Sequence, residues 1–187
     1  GGKRLIEFNE VLIESVEDYN KLYQYVGKET IDEQAVDTLK RFLGIKCNRI
    51  VVEYPYHDKD FLSTYYCYYS QKFRGFPKKC YRLHIMGEDE KYFGYIVLRP
   101  TVKGTRLGTT YLSPQPLLDE EAYLMLAEYE AHIMDNKREI KCFPWMKQEV
   151  DIAVCAHVAA WTILRYYGNK YHNYADTTMG AIDQKIK

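Results

Sequence analysis

Apolar residues recur at three- and four-residue intervals in two places near the start of the chain. Val16, Tyr19, Leu22, Tyr23 and Val26 share one helical face, with Ser15 as the capping residue and Gly27 as the stop, which predicts a short amphipathic helix over 15–26. Thr30-Ile31-Asp32-Glu33 has the form of a capping box, and the stripe Ala35, Val36, Leu39, Phe42 and Leu43, ending at Gly44, predicts a second. The period then changes. Residues 49–54 are β-branched and stop at Pro55, as a strand does. Asp58 is placed to cap a helix to about residue 70, with Phe61, Leu62, Tyr65, Tyr66 and Tyr69 forming a wide aromatic face. Residues 80–86 alternate, 87–90 turn and 92–98 return, giving a hairpin that Pro100 ends. Residues 107–112 read as another strand, and Ser113-Pro114-Gln115-Pro116 as a stiff connector. Residues 122–134 are read as a strand that turns through Asp135-Asn136-Lys137 into a return strand over 139–143. Helices followed by sequential strands predict the α+β class with a largely antiparallel sheet.

The stretch 143–168 carries the candidate chemistry. From Cys155 onward its residues are small or apolar, without Gly or Pro, until Gly168, which predicts a buried helix of about three turns that stops there. Cys155 falls in the first turn, where unpaired amides and the positive end of the helix dipole favour thiolate over thiol. Ala156, Ala159 and Ala160 permit close approach of another layer.

Phe143-Pro144, Gln148 in a loop, Cys155 seven residues later opening an apolar helix, and Tyr167-Gly168 at its end together resemble the nucleophile segment of papain-fold cysteine peptidases. The bacterial bacteriocin-leader-peptidase-like branch is the most similar. The resemblance spans about 25 residues and implies a nucleophile at Cys155, an oxyanion-stabilising carboxamide at Gln148 and a peptide or protein substrate. The chain departs from that pattern beside the nucleophile, where Val154 precedes and Ala156-His157 follow, and the family commonly has Gly. In the papain order the general base and its orienter come from strands well downstream. Residues 156–187 offer only His172, Asn173 and Asp176, in what reads as a loop after the helix, so His172 is the local candidate base. The resemblance otherwise places the base beyond Lys187. The implied organisation is an α+β binding or regulatory domain over 1–140 and the start of a papain-like core over 141–187.

The rival reading is a non-catalytic interaction module in which Cys155 is a small buried hydrophobe. A third, a nucleotide or single-strand binder, rests on Lys78-Lys79-Cys80-Tyr81-Arg82 beside Tyr65, Tyr66, Tyr68 and Tyr69. A solvated basic edge is the simpler explanation, since Glu88-Asp89-Glu90 follows. Cys155 and His157 point roughly 200° apart on a helix, which makes His157 a packing residue rather than a base. His57 and His84 read as structural residues that could also line a pocket, and His132 has no distinctive context. Gly104 to Thr109 lacks the phosphate-loop Lys and reads as a hairpin loop.

Composition narrows these readings. In 187 residues, 47% hydrophobic and 28% charged content excludes a wholly disordered or collagen-like chain. Lys plus Arg, 26, cancels Asp plus Glu, 26, which makes nucleic acid an unexpected partner. No apolar run reaches the roughly 18 residues of a membrane span, so no membrane partner is expected. The five Cys are odd in number, scattered and without a CxxC pair, which argues for a reducing, cytoplasmic setting and against a zinc cluster; neither metal nor cofactor is expected. Nineteen Tyr are the unusual count. Packing of half-buried faces explains them best, with a protein partner on the Tyr-rich N-terminal domain as the alternative.

Overall fold

The computed structural model describes residues 5–69, 77–100, 107–114, 124–146, 155–171, 173 and 176–186, and of Cys155, Ala156 and His157 only the backbone. Its centre is a six-stranded sheet in which every neighbouring pair is antiparallel. The strands are β1 (Glu7–Leu12), β2 (Arg49–Tyr56), β3 (Cys80–Met86), β4 (Tyr92–Leu98), β5 (Leu107–Leu112) and β8 (Trp145–Met146), in that spatial order. A two-stranded hairpin, β6 (Ala127–Ile133) and β7 (Asn136–Cys142), lies over one face. With five α-helices among the described residues, the chain is an α+β fold.

Alternation along the strands sorts the core into two layers. Ile50, Val52, Leu83, Ile85, Ile96 and Leu98 face α1 (Leu22–Val26) and α2 (Glu33–Leu43), where Tyr19, Leu22, Ile31, Val36 and Leu39 complete the cluster. Tyr95, Val97 and Tyr111 face the opposite way, toward Phe61, Tyr129, Ile140 and Tyr166. Those residues come from α3 (Lys59–Thr64), the β6–β7 hairpin and α4 (Cys155–Lys170), and α5 (Met179–Ile186) packs beside α3 and α4.

Several sequence expectations change in detail. The helix expected over 15–26 is a 3₁₀ segment, Val16–Lys21, leading into α1, and the Asp18 carboxylate accepts from the Glu14 and Ser15 amides at 2.9 and 2.8 Å. Helix α2 is capped by Asp32, which accepts from Ala35 N at 2.8 Å, while Phe42 turns outward at 62% exposure. Strand β2 runs through Pro55 to Tyr56, because Pro55 sits in a register irregularity where no ladder amide is needed. Asp58 does cap α3, but the α-helix ends at Thr64 and a π-helical turn, Tyr65–Tyr69, follows. The β6–β7 turn is Met134-Asp135, one residue earlier than expected, with both residues at positive φ as a two-residue hairpin loop requires. Residue 141 falls inside β7, and the segment after it packs on α3 and the sheet.

Candidate active-site helix and its buried clamp

Helix α4 is described from Cys155 to Lys170. It does not stop at Gly168. The ladder continues with Tyr171 N donating to Tyr167 O at 2.9 Å, and the Asn169 side-chain amide donates to the Glu128 carbonyl, so the last turn is held from outside. Nor is it buried all round. Trp161, Arg165 and Tyr166 face the core, while Ile163, Tyr167 and Tyr171 are exposed.

A buried carboxylate fixes this helix to the rest of the fold. Asp60, in the first turn of α3, is 2% exposed. Its Oδ1 accepts from Trp161 Nε1 at 3.0 Å, and Arg165 Nη2 donates to Oδ1 and Oδ2 at 2.9 and 3.0 Å. Trp161 and Arg165 are four apart, so one face of α4 presents both donors to one acceptor. Arg165 also reaches Asp176 Oδ1 at 2.8 Å and the Thr177 carbonyl at 3.2 Å, which ties the segment before α5 to the same point. Its Nε is buried without a partner. Two residues before Asp60, Asp58 is equally buried and accepts from Phe61 N at 3.1 Å and Thr109 Oγ1 at 3.3 Å. Burial pushes the Asp60 carboxyl up to about 6, against the opposing pull of Arg165, and the neighbouring charge of Asp58 adds to the rise. Burial likewise raises Asp58.

A second polar cluster crosses the same sheet face. Glu53 Oε2 accepts from Arg82 Nε at 2.7 Å and lies 2.7 Å from His84 Nε2. His84 Nδ1 lies 2.7 Å from the Tyr92 hydroxyl. The ionised Glu53 can only accept, so Nε2 carries the proton and the neutral ring accepts from Tyr92 at Nδ1. Burial lowers the His84 pKa, and the Arg82 charge adds to that, outweighing Glu53. For Glu53, burial pushes up, but the hydrogen bond from His84 and the charge of Arg82 together hold it below its ordinary value. Arg82 lies over the Tyr56 ring and donates from Nη2 to the His132 carbonyl at 2.7 Å, fastening the β6–β7 hairpin to the sheet.

Of the sequence-predicted site residues, the backbone of Cys155 lies in α4, and Gln148 and His172 lie outside the described residues. Tyr171, which precedes His172, follows the last residue of α4, about 24 Å along the helix axis from Cys155 at 1.5 Å per residue. Trp161 is fully buried below the middle of that helix. His84 is a buried structural residue; His57 and His132 are exposed. Among the described residues, no group of His, Cys, Asp and Glu is arranged to hold a metal ion, and no helix is long and apolar enough to cross a membrane. The clamp at Asp60 was missed because its partners are 101 and 105 residues away; the one available signal was the paired acids Asp58 and Asp60 in an otherwise aromatic helix. Comparison with protein-family models, with curated proteins and with solved structures gives no match for this chain.

Proposed function

We propose that the chain carries the nucleophile segment of a thiol acyl-transfer enzyme of the papain-like cysteine peptidase class. Cys155 attacks a peptide carbonyl, and Gln148 donates to the oxyanion that forms. The thiolate adds to the carbonyl carbon, the C–N bond breaks, the amine leaves with a proton, and water then cleaves the thioester to regenerate the thiol. His172, whose chain neighbour sits at the opposite end of α4, is not assigned a part in this.

The observation that supports the reading is the fixing of α4, described from Cys155 to Lys170, through the buried Asp60. The dipole of that helix favours thiolate in its first turn, and the clamp keeps the helix from shifting when charge develops there. The buried cysteines lack such a setting. Cys47, Cys80 and Cys142 have no exposed surface, and burial pushes the Cys142 thiol up to about 12.

Site-resolved alkylation of the native chain with iodoacetamide tests the proposal. Cys155 is expected to react at least about tenfold faster at pH 7 than half-buried Cys67, with its rate rising through a midpoint below the ~8.5 of a free thiol. Alkylation no faster than at Cys67 sinks the proposal and returns Cys155 to packing, in a non-catalytic module.

A further inference from the structure

A cleft of about 560 Å³ opens between α4, β6 and the sheet, and its floor is made by Tyr95, Tyr111 and Tyr129. Tyr95 and Tyr111 are register partners on β4 and β5, so their rings leave the sheet side by side, with centres 5.3 Å apart. The pair depends on Gly94. That residue has φ +135°, and a Cβ there would lie 1.9 Å from the Tyr111 carbonyl oxygen, so only glycine lets the two strands meet. Tyr95 is 9% and Tyr111 6% exposed. Neither hydroxyl bonds to a described residue, and both side chains line the cleft.

Two phenols side by side on a cleft floor, with no bond to a described residue, offer two adjacent donors to whatever enters the cleft. Lys59 stands on the cleft wall with Asp176, both more than half exposed, in a pair that an incoming anion can exchange. The two rim carboxylates, Glu128 and Glu130, are each paired with a lysine of their own, Lys141 and Lys137. Arg165 is already taken by Asp60 and Asp176. The donors left to a ligand are therefore the two phenols of the floor, with Lys59 on the wall held only in an exposed, exchangeable pair.

We propose that this cleft binds a carboxylate, which accepts hydrogen bonds from the Tyr95 and Tyr111 hydroxyls and takes Lys59 as its counter-charge. Burial raises both phenol pKa values, so both stay protonated donors at neutral pH. The cleft volume lies in the range that takes small molecules and short peptides, roughly 300–1,000 Å³. The site lies toward the end of α4 remote from Cys155, about 20 Å along the axis, and stands whether or not Cys155 is a nucleophile.

The carboxylate can belong to a free small acid or to a peptide C-terminus. Titration calorimetry on the whole chain, with acetyl-trialanine, its C-terminal amide and acetate as probes, separates these. The free acid is expected to bind at least about tenfold more tightly than the amide, as loss of charge-assisted hydrogen bonds requires. Competition by acetate assigns the site to small acids; binding of the peptide without such competition assigns it to peptide termini. Replacing both phenols, Tyr95→Phe with Tyr111→Phe, is expected to abolish the preference for the acid while leaving the urea midpoint near that of the parent. If that variant fails to fold, Lys59→Gln, at an exposed position, still reads the charge and is expected to weaken acid binding severalfold without altering amide binding. No binding of the acid, equal binding of acid and amide, or a folded double variant that binds like the parent overturns the proposal.

Discussion

Glu53 and Asp60 are both carboxylates, both at least 96% buried, and both hydrogen-bonded to an arginine, yet their acidities move in opposite directions. Glu53 is held below its ordinary value, because His84 and Arg82 together outweigh the cost of burial. Asp60 is pushed up to about 6, because burial outweighs the charge of Arg165 and Asp58 adds like charge from two residues away. Burial pushes both carboxyls the same way; the balance of the charges around each sets the sign. The two sites also differ in what they join. Glu53 links strands already paired in the sheet, whereas Asp60 links elements 101 and 105 residues apart in sequence.

The largest expected effect comes from breaking the second arrangement. Asp60→Asn leaves buried Arg165 with only the exposed Asp176 as countercharge and is expected to cost about 3 kcal/mol in urea unfolding at pH 7. A loss below about 1 kcal/mol would show that α4 is held mainly by apolar packing.

A smaller effect, up to roughly 3 kcal/mol from Asp60, separates the two sites by sign. The folded chain keeps the Asp60 proton up to about pH 6, whereas the unfolded chain releases it near 3.8. Asp60's contribution to stability therefore grows as pH falls from about 6 toward 4. His84 is kept neutral in the fold, so its contribution is present above the ordinary 6.5 and is lost as pH falls below it. Between pH 6.5 and 4.5 the two oppose. Asp60→Asn is expected to steepen the acid loss of stability and His84→Gln to reduce it, read from urea midpoints across that window. Matching slopes in both variants would contradict the contrast.

The smallest effect tests the tautomer. Tyr92→Phe removes the donor to His84 Nδ1 and is expected to cost about 1 kcal/mol. An accompanying shift of the His84 imidazole resonances in NMR would mark the lost bond.

Sequence periodicity reached the layers of this fold and fell short of its joints. The β6 pattern, with Ala127, Tyr129, Ala131 and Ile133 inward and the residues between them outward, is readable directly because alternation is a local property. The core face of α2 was equally legible, apart from Phe42. Gly168 misled, since its helix-ending tendency is overcome by contacts to Glu128 from another element. The Tyr count was explained chiefly by packing: Tyr19, Tyr95, Tyr111, Tyr129 and Tyr166 all lie in the core. What no window along the chain reveals is which charged residues meet across a hundred positions, and the clamp on α4 is made of those.

That separation also fixes an order of events. Strands β1 to β5 each neighbour their predecessor in the sheet, so the scaffold can assemble as it leaves the ribosome. Asp60 then waits for Arg165, emerging 105 residues later, roughly 5–20 s at typical synthesis rates. Throughout that interval the acid stays hydrated and the seat for the last long helix stays vacant. Docking of that helix follows assembly of the sheet, and a chain stalled before it would expose a wet, half-built surface for chaperones to recognise.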